Sequence, residues 1–274
     1  MQGLGNDFVV IDGINQQFSL SKVQIQQLGD RHYGIGFDQL LLIEKSDDST
    51  ADIIYRIFNA NGSEVAQCGN GARCIAKYAF DHQLVTSHFI KAKTLKGLLE
   101  LKIEENGLVT VNMGKPDFHP ENIPLQAMFN AEYWAEEIPP SIAPAGKIRF
   151  QALSIGNPHA IIWCEQQAQY DIPKIGEFLN QHSMFPEGVN VSFVTVIDPF
   201  HINLKVYERG AGETLACGSA ACAAVVAGIH AEKLQEEVIV SQAGGDLTIS
   251  WAGNNQAVYM SGAAEYVFEG KITL

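Results

Sequence analysis

Basic side chains are scarce in this sequence: 18 Lys and Arg stand against 31 Asp and Glu, a formal charge of −13. A surface that negative repels nucleic acid and anionic membranes, so neither is expected as a partner. Long apolar runs are also missing. The longest, near "AACAAVVAGI", is too short to span a bilayer, and the opening "MQGLGNDFVV" has no basic stretch ahead of an apolar core, which leads to the expectation of a cytoplasmic protein. No C-x-x-C occurs among the five cysteines (Cys68, Cys74, Cys164, Cys217, Cys222), which argues against zinc and thioredoxin-type sites. Their odd number suits reduced thiols better than a disulfide framework. A P-loop and a dinucleotide fingerprint are lacking too.

Proline is absent before Pro116, and six of the ten prolines fall between Pro116 and Pro144. That stretch suits a linker, and the parts on either side of it can be superposed in sequence. "GNDFVVI" (5–11) matches "GNPHAII" (156–162), pairing Asn6 with Asn157 at an offset of 151. "RIFNANGSEVAQCG" (56–69) matches "KVYERGAGETLACG" (205–218), pairing Cys68 with Cys217 at an offset of 149. "GLLELKIEENGLVTVNM" (97–113) matches "GDLTISWAGNNQAVYM" (245–260). Order is kept and the offset drifts by only a few residues, as an internal duplication requires. Each copy reads as a strand, a helix, two β-rich runs, a thiol loop, a second helix and closing alternating strands. This predicts an α/β fold of the α+β type with mainly hairpin connections. The run "IRFQALSIGN" has a counterpart that would begin ahead of Met1, so the first strand is expected to be short: either the copy is naturally shorter or the chain starts late.

Cys68 and Cys217 each stand on a glycine loop at the mouth of a helix. Unpaired N–H groups and the positive end of the helix dipole favour thiolate there, which predicts lowered pKa values for both. The neighbouring glycines (Gly69, Gly71, Gly218) let N–H groups approach a bound carboxylate. Cys74 and Cys222, inside the helices, and Cys164, at a strand end, read as small buried hydrophobes. Two thiols at matching repeat positions suit inversion at a carbon centre, one removing a proton from one face while the other delivers one to the opposite face. Nothing points to a pyridoxal lysine, and neither cofactor nor metal is expected; such a site relies on a dry pocket, helix dipoles and tuned thiols.

Taken together, "GLGNDFVVID", "GFDQLLLIEK", "FNANGSEVAQCGNGARC", "IGNPH", "GVNVSFV" and "YERGAGETLACGSAACAA" resemble the diaminopimelate epimerase family nearly end to end. The resemblance implies cofactor-free conversion of LL- to meso-diaminopimelate by two cysteines, in lysine and peptidoglycan precursor synthesis. It implies two pseudo-twofold related domains, each a curved, mainly antiparallel sheet wrapped around a central helix, and a homodimer. By position, Cys68 and Cys217 match the base and acid, exchanging roles with reaction direction. Asn6, Gln39, Asn59, Asn157, Asn190, Glu208 and Arg209 match residues that hold the substrate's amino and carboxylate groups, and Gly69, Asn70, Gly218 and Ser219 match the backbone cradles. His159 and Glu208 match the pair that adjusts the thiols.

The residues themselves support part of this. Arg209 offers a planar fork to a carboxylate, and asparagines can donate and accept at once, although Asn6, Asn157 and Asn190 also suit turns. Arg73, Glu64 and Glu213 are explained by capping or loop bracing. Gln2 departs from the family pattern, which has a histidine there. The expected domains are 1–115, completed by a closing strand over 264–274, and 116–263. Two other readings remain open at this level: a proline racemase-like enzyme, whose one-carboxylate substrate would leave Arg209 without a purpose, and a non-catalytic thiol protein that binds metal or senses oxidants, which the lack of closely spaced His or Asp ligands disfavours.

Overall fold

A computed structural model of the chain describes residues 1–66, 68–126, 131–143 and 146–273. Gln67 of the first thiol motif, residues 127–130 and Pro144 of the proline-rich stretch, Ala145 and Leu274 lie outside the described residues. Two compact units form, one from Met1–Asn112 with Ser261–Leu274 and one from Met113–Met260.

In the first unit, Asn6–Asp12 runs parallel to Gln39–Lys45, which pairs antiparallel with Ile53–Asn59. Ile53–Asn59 then pairs antiparallel with Glu64–Val65 and parallel with Phe89–Thr94, and Gly97–Ile103 and Val109–Asn112 follow antiparallel. The run "QLLLIEK" buries Leu40, Leu41, Leu42 and Ile43 completely, as a strand flanked on both sides requires. Helix α1 (Lys22–Gly29) makes the parallel crossover; Ser21 and Gln24 close a reciprocal capping box at its start. Helix α2 (Gly69–Asp81) packs against Gln2–Gly3, Asn6–Asp12, Gln39–Lys45, Gly97–Ile103 and Val109–Asn112. It buries Ala72, Arg73, Cys74, Ile75, Ala76 and Ala79, and is therefore the core around which this unit is built. The close approach requires glycine at 71: a Cβ there would meet the Tyr55 hydroxyl at 2.5 Å and the Leu41 side chain at 3.1 Å.

The second unit repeats this plan. Pro158–Trp163 runs parallel to Asn190–Asp198, which pairs antiparallel with His201–Glu208. That strand pairs antiparallel with Gly212–Thr214 and parallel with Glu237–Gln242, and Gly245–Ser250 follows antiparallel. Lys147–Ser154 and Trp134–Glu137 extend the other edge. Helix α3 (Ile172–Asn180) is capped by Asp171, whose carboxylate accepts from Lys174 N. Helix α4 (Gly218–His230) packs against six strands and buries every residue from Ala220 to Gly228. Its Gly, Ala, Cys and Val composition lets a sheet wrap closely on all sides, at roughly 1.5–3 kcal/mol for each fully buried valine. In register, Phe8 opposite Gln39 corresponds to His159 opposite Asn190, and Asn59 falls where Glu208 stands. The duplication thus extends to single pairs of neighbouring residues.

As expected, the segment from Ser261 onward belongs to the first unit, and the unit limits fall a few residues before 115 and 263. The closing strand expected over 264–274, however, is not present among the described residues. Gln2 and Glu265 form one antiparallel bridge, and 266–273 has no regular structure. The physical reason lies in the partner: Gln2–Gly3 is only two residues long before the chain turns at Leu4 (φ 57°) and Gly5 (φ 82°), leaving no ladder to extend. Gln2 itself is well used, with its Nε2 donating to Glu265 Oε2 (2.7 Å) and its Oε1 accepting from Gly5 N (3.0 Å). The completely buried Arg73 fixes the returning segment, donating from Nε to Ala263 O at 3.1 Å. Among the described residues no helix is long and apolar enough to cross a membrane.

Candidate active site

Both thiol residues are N-caps. Cys68 (φ −146°, ψ 113°) precedes α2 and Cys217 (φ −132°, ψ 114°) precedes α4, each extended just where the helix begins. A sulfur thus stands where Ser or Asp would ordinarily face the first free N–H groups of a helix. No disulfide links any of the five cysteines.

In the first unit, Cys68 Sγ accepts from Gly71 N (3.4 Å) and donates its S–H toward Asn6 Oδ1 (3.9 Å). The Tyr55 hydroxyl donates to Cys68 O at 3.4 Å, steadying the loop backbone from below. Asn6 is brought here because it opens the strand next to Gln39–Lys45, and its Nδ2 donates to Asp38 Oδ2 (2.7 Å). Gln39 and Asn59 face each other across adjacent strands, Gln39 Nε2 donating to Asn59 Oδ1 (2.9 Å) while Asn59 Nδ2 donates to Ser63 Oγ (3.3 Å). Gln39 Oε1 and Asn70 Oδ1 are buried acceptors with no hydrogen-bond partner among the described residues. They suit a donor-rich ligand such as an ammonium group. Gly69 and Asn70 form the first turn of α2, beside Cys68.

In the second unit, Cys217 is 6% exposed, its N–H donates to Gln242 Oε1 (2.9 Å), and its Sγ lies 3.6 Å from Ser219 Oγ. Ser219 Oγ accepts from Asn157 Nδ2 (3.3 Å), and Asn157 Oδ1 stands 3.0 Å from His159 Nε2. His159 is completely buried. Burial above all, and then the Arg209 charge, push its pKa down to about 3, so it is neutral at physiological pH, with Nε2–H donating to Asn157. Asn190 is occupied by backbone on both sides of its amide: Oδ1 accepts from Arg209 N (3.0 Å) and Nδ2 donates to Pro158 O (3.1 Å). It therefore positions Arg209, whose Nη1 donates to Glu187 O (2.9 Å). Glu208 Oε1 accepts from Thr214 Oγ1 (2.5 Å). Gly218 and Ser219 begin α4.

The expectation of a lowered pKa does not hold for Cys217. Burial is the leading cause and the negative charge of Glu208 the next, and together they raise the thiol well above its ordinary value; Ser219 and the Ala220 N–H act the other way but do not prevail. A helix N-terminus lowers a thiol pKa only when desolvation is smaller, and here the thiol is buried beside the Glu208 carboxylate. At neutral pH Cys217 therefore holds its proton. Cys74 and Cys164 also rise, to about 12 and about 11, through burial, as expected of core thiols.

Sequence reasoning passed over Asp38, Asp7, Arg31, Thr214, Gln242 and Tyr55. Asp38 adjoins Gln39 in "GFDQL" and Thr214 lies in "GETLACG", so both sit in motifs already singled out; Gln242 and Tyr55 have no such signal, because only the pairing of distant strands brings them close. Glu64 does brace its loop, through a two-pronged pair with Arg56 (2.7 and 3.0 Å). Among the described residues no group of three or more His, Cys, Asp or Glu is arranged to hold a metal ion.

Comparison with known proteins establishes the family. The family model described as Diaminopimelate epimerase matches residues 1–119 and 151–267. A diaminopimelate epimerase from Nitrosospira multiformis is 49% identical over 274 residues, covering 100% of this chain and 97% of that one. One from Coxiella burnetii (strain Dugway 5J108-111) is 50% identical over 271 residues, covering 99% and 96%. Among solved structures, a probable proline racemase from Agrobacterium radiobacter K84 with bound carbonate superposes with a TM-score of 0.69 at 14% identity, covering 100% of this chain and 91% of that one. A phenazine biosynthesis protein of the PhzF family from Bacillus anthracis gives 0.67 at 17%, covering 100% and 95%. At such identities these two establish a shared fold only. With the family model spanning most of the sequence and relatives near half-identical over its whole length, this chain belongs to the diaminopimelate epimerase family and is an isomerase that epimerises its substrate.

Proposed function

We propose that this protein inverts one α-carbon of LL-2,6-diaminopimelate to give the meso form by transferring protons between two cysteines, Cys68 and Cys217, without a cofactor. It would thereby supply precursors of lysine and peptidoglycan, and act as a homodimer, as the resemblance implies. In one direction the Cys68 thiolate takes the α-proton: a C–H bond breaks, an S–H bond forms and the electron pair passes into the substrate carboxylate. The S–H of Cys217 then breaks, and its proton closes a new C–H bond on the opposite face. The turnover leaves a thiol at Cys68 and a thiolate at Cys217, and the reverse direction uses that pair.

The observation that carries this reading is the N-cap position of both thiols combined with the raised pKa of Cys217, which keeps a proton donor loaded at neutral pH. N–H groups at the first turns of α2 and α4, from Gly69, Asn70, Gly218 and Ser219, are placed to receive charge developing on a carboxylate. Arg209 has a fork suited to the distal carboxylate, and Gln39 and Asn6 present acceptor oxygens to an ammonium. The test is solvent-deuterium incorporation at the α-carbon during turnover, in the parent and in Cys217→Ala. Deuterium should enter the parent's product, and the variant should remain folded but fail to epimerise. A product formed without α-deuterium, or near-normal turnover by the variant, refutes the proposal.

A further inference from the structure

The hydrogen bonds on the Cys68 side converge on Asp38. Its Oδ2 accepts from Asn6 Nδ2 (2.7 Å) and from Asp7 N (3.2 Å), while its Oδ1 accepts from Arg31 Nη2 (2.8 Å). Arg31 in turn grips Asp7 with both prongs (2.7 and 2.8 Å), and Asp7 Oδ1 accepts from Asp38 N (2.8 Å). The two carboxylates and the guanidinium hold one another in a closed ring. An ionised carboxylate only accepts, so Asn6 must turn its NH₂ toward Asp38 and its Oδ1 the other way, toward the Cys68 sulfur.

The repeat shows that the fold does not need this ring. By strand register Asp38 corresponds to Val189, a completely buried apolar residue, and Asp7 to Pro158. The second unit closes the same parallel pair without either charge. There Asn157 is held instead by His159, and its Nδ2 points to Ser219, which lies beside Cys217. The two thiols thus meet opposite ends of an asparagine amide: Cys68 faces the oxygen, whereas Cys217 is linked through Ser219 to the nitrogen.

Building on the two-cysteine reading above, we propose that Asp38, held by Arg31 and Asp7, is a positioning residue that locks the Asn6 amide with its oxygen toward Cys68, so that Cys68 keeps its proton until a ligand's ammonium takes that oxygen, whereupon the S–H proton passes to water and the thiolate forms. An amide oxygen stabilises S–H and disfavours the thiolate, and a flipped amide would do the reverse. The lock belongs to one thiol alone, so the two halves of the duplication keep their thiols protonated by different means: an amide oxygen at Cys68, burial and the Glu208 charge at Cys217.

The experiment follows alkylation of each thiol by iodoacetamide against pH in the full-length, substrate-free protein, with the Cys68 and Cys217 peptides quantified separately by mass spectrometry. Asp38→Asn, which can donate as well as accept, frees Asn6 to flip; the Cys68 profile should move down by about 0.5 pH unit or more, while that of Cys217 stays in place. Removing a negative charge would also lower the profile, so the comparison is repeated in an Asn6→Ala background, where the shift should largely vanish. Arg31→Gln, which loosens the ring without changing Asp38, should give a smaller shift in the same direction and serves if Asp38→Asn proves unstable. An unmoved Cys68 profile in both variants, equal shifts at both thiols, or an undiminished shift without Asn6 would overturn the lock. The alkylation profiles require no turnover, so they distinguish failure of the lock from failure of the epimerase reading, which the parent's deuterium assay tests alone.

Discussion

His159 makes a quantitative prediction possible, because it is completely buried and neutral inside the folded second unit. Its pKa is about 3 there against 6.5 for an ordinary imidazole, chiefly through burial. Between those values the unfolded chain binds a proton that the folded chain refuses. Stability is therefore fully present above pH 6.5 and is lost as pH falls toward 3. Linkage over the interval from about pH 7 to about pH 5 assigns His159 a loss of about 2 kcal/mol. The first repeat suggests a substitution to isolate this effect, since Phe8 occupies the equivalent register position opposite Gln39. At pH 7 and above, His159→Phe should lower stability by about 1 kcal/mol, having removed the hydrogen bond to Asn157. It should, however, lose about 2 kcal/mol less than the parent on going from about pH 7 to about pH 5. Urea unfolding at both pH values, with the same slope fitted for each protein, gives the comparison. If parent and variant lose equal stability, His159 protonates inside the folded protein and the account of a dry neutral imidazole is wrong.

Other expectations concern the thiols and the helix starts. Glu208→Gln removes the charge that helps raise Cys217, so the pH at which Cys217 is half alkylated should fall; an unmoved or rising value would show that Glu208 does not act on the sulfur. Gly71→Ala forces a methyl against the Tyr55 hydroxyl and Leu41 and should destabilise the first unit by about 1–3 kcal/mol, visible as a lowered Tm; an unchanged Tm would mean that α2 does not approach Tyr55 so closely. Asp171→Ala removes the α3 cap and should cost about 1 kcal/mol in urea unfolding without altering thiol reactivity, and a loss of thiol reactivity would tie α3 to the site.

The order of elements in each copy could be read from sequence because the duplication supplies each motif twice, and strands such as Gln39–Lys45 and Ile53–Asn59 are rich in apolar and aromatic residues. Local patterns could not reveal the parallel pairings of Asn6–Asp12 with Gln39–Lys45 and of Ile53–Asn59 with Phe89–Thr94, because a helix separates the partners in each case and the pairing leaves no local mark. The cysteine positions were legible since glycine loops at helix starts leave a local mark. The sign of the Cys217 shift was not, because it depends on burial and on Glu208, which the strand pairing delivers from nine residues away. The same holds for Asn190: its composition suggests ligand binding, whereas its amide is engaged by Pro158 and Arg209 from two different strand ends. The closing strand was misjudged because an extended, apolar tail resembles a strand until the length of its partner is known.

The tie between Ala263 and the buried Arg73 bears on how the protein is made. The second unit is one continuous stretch, Met113–Met260, whereas the first needs both Met1–Asn112 and the segment from Ser261 onward. On a ribosome, the half translated first must therefore wait with its Arg73 side chain unsealed until the final segment emerges, while the half translated later already has every strand it needs. Birth order and completion order are reversed, and a released chain ending at Met260 should resist protease in the later half and yield in the earlier one.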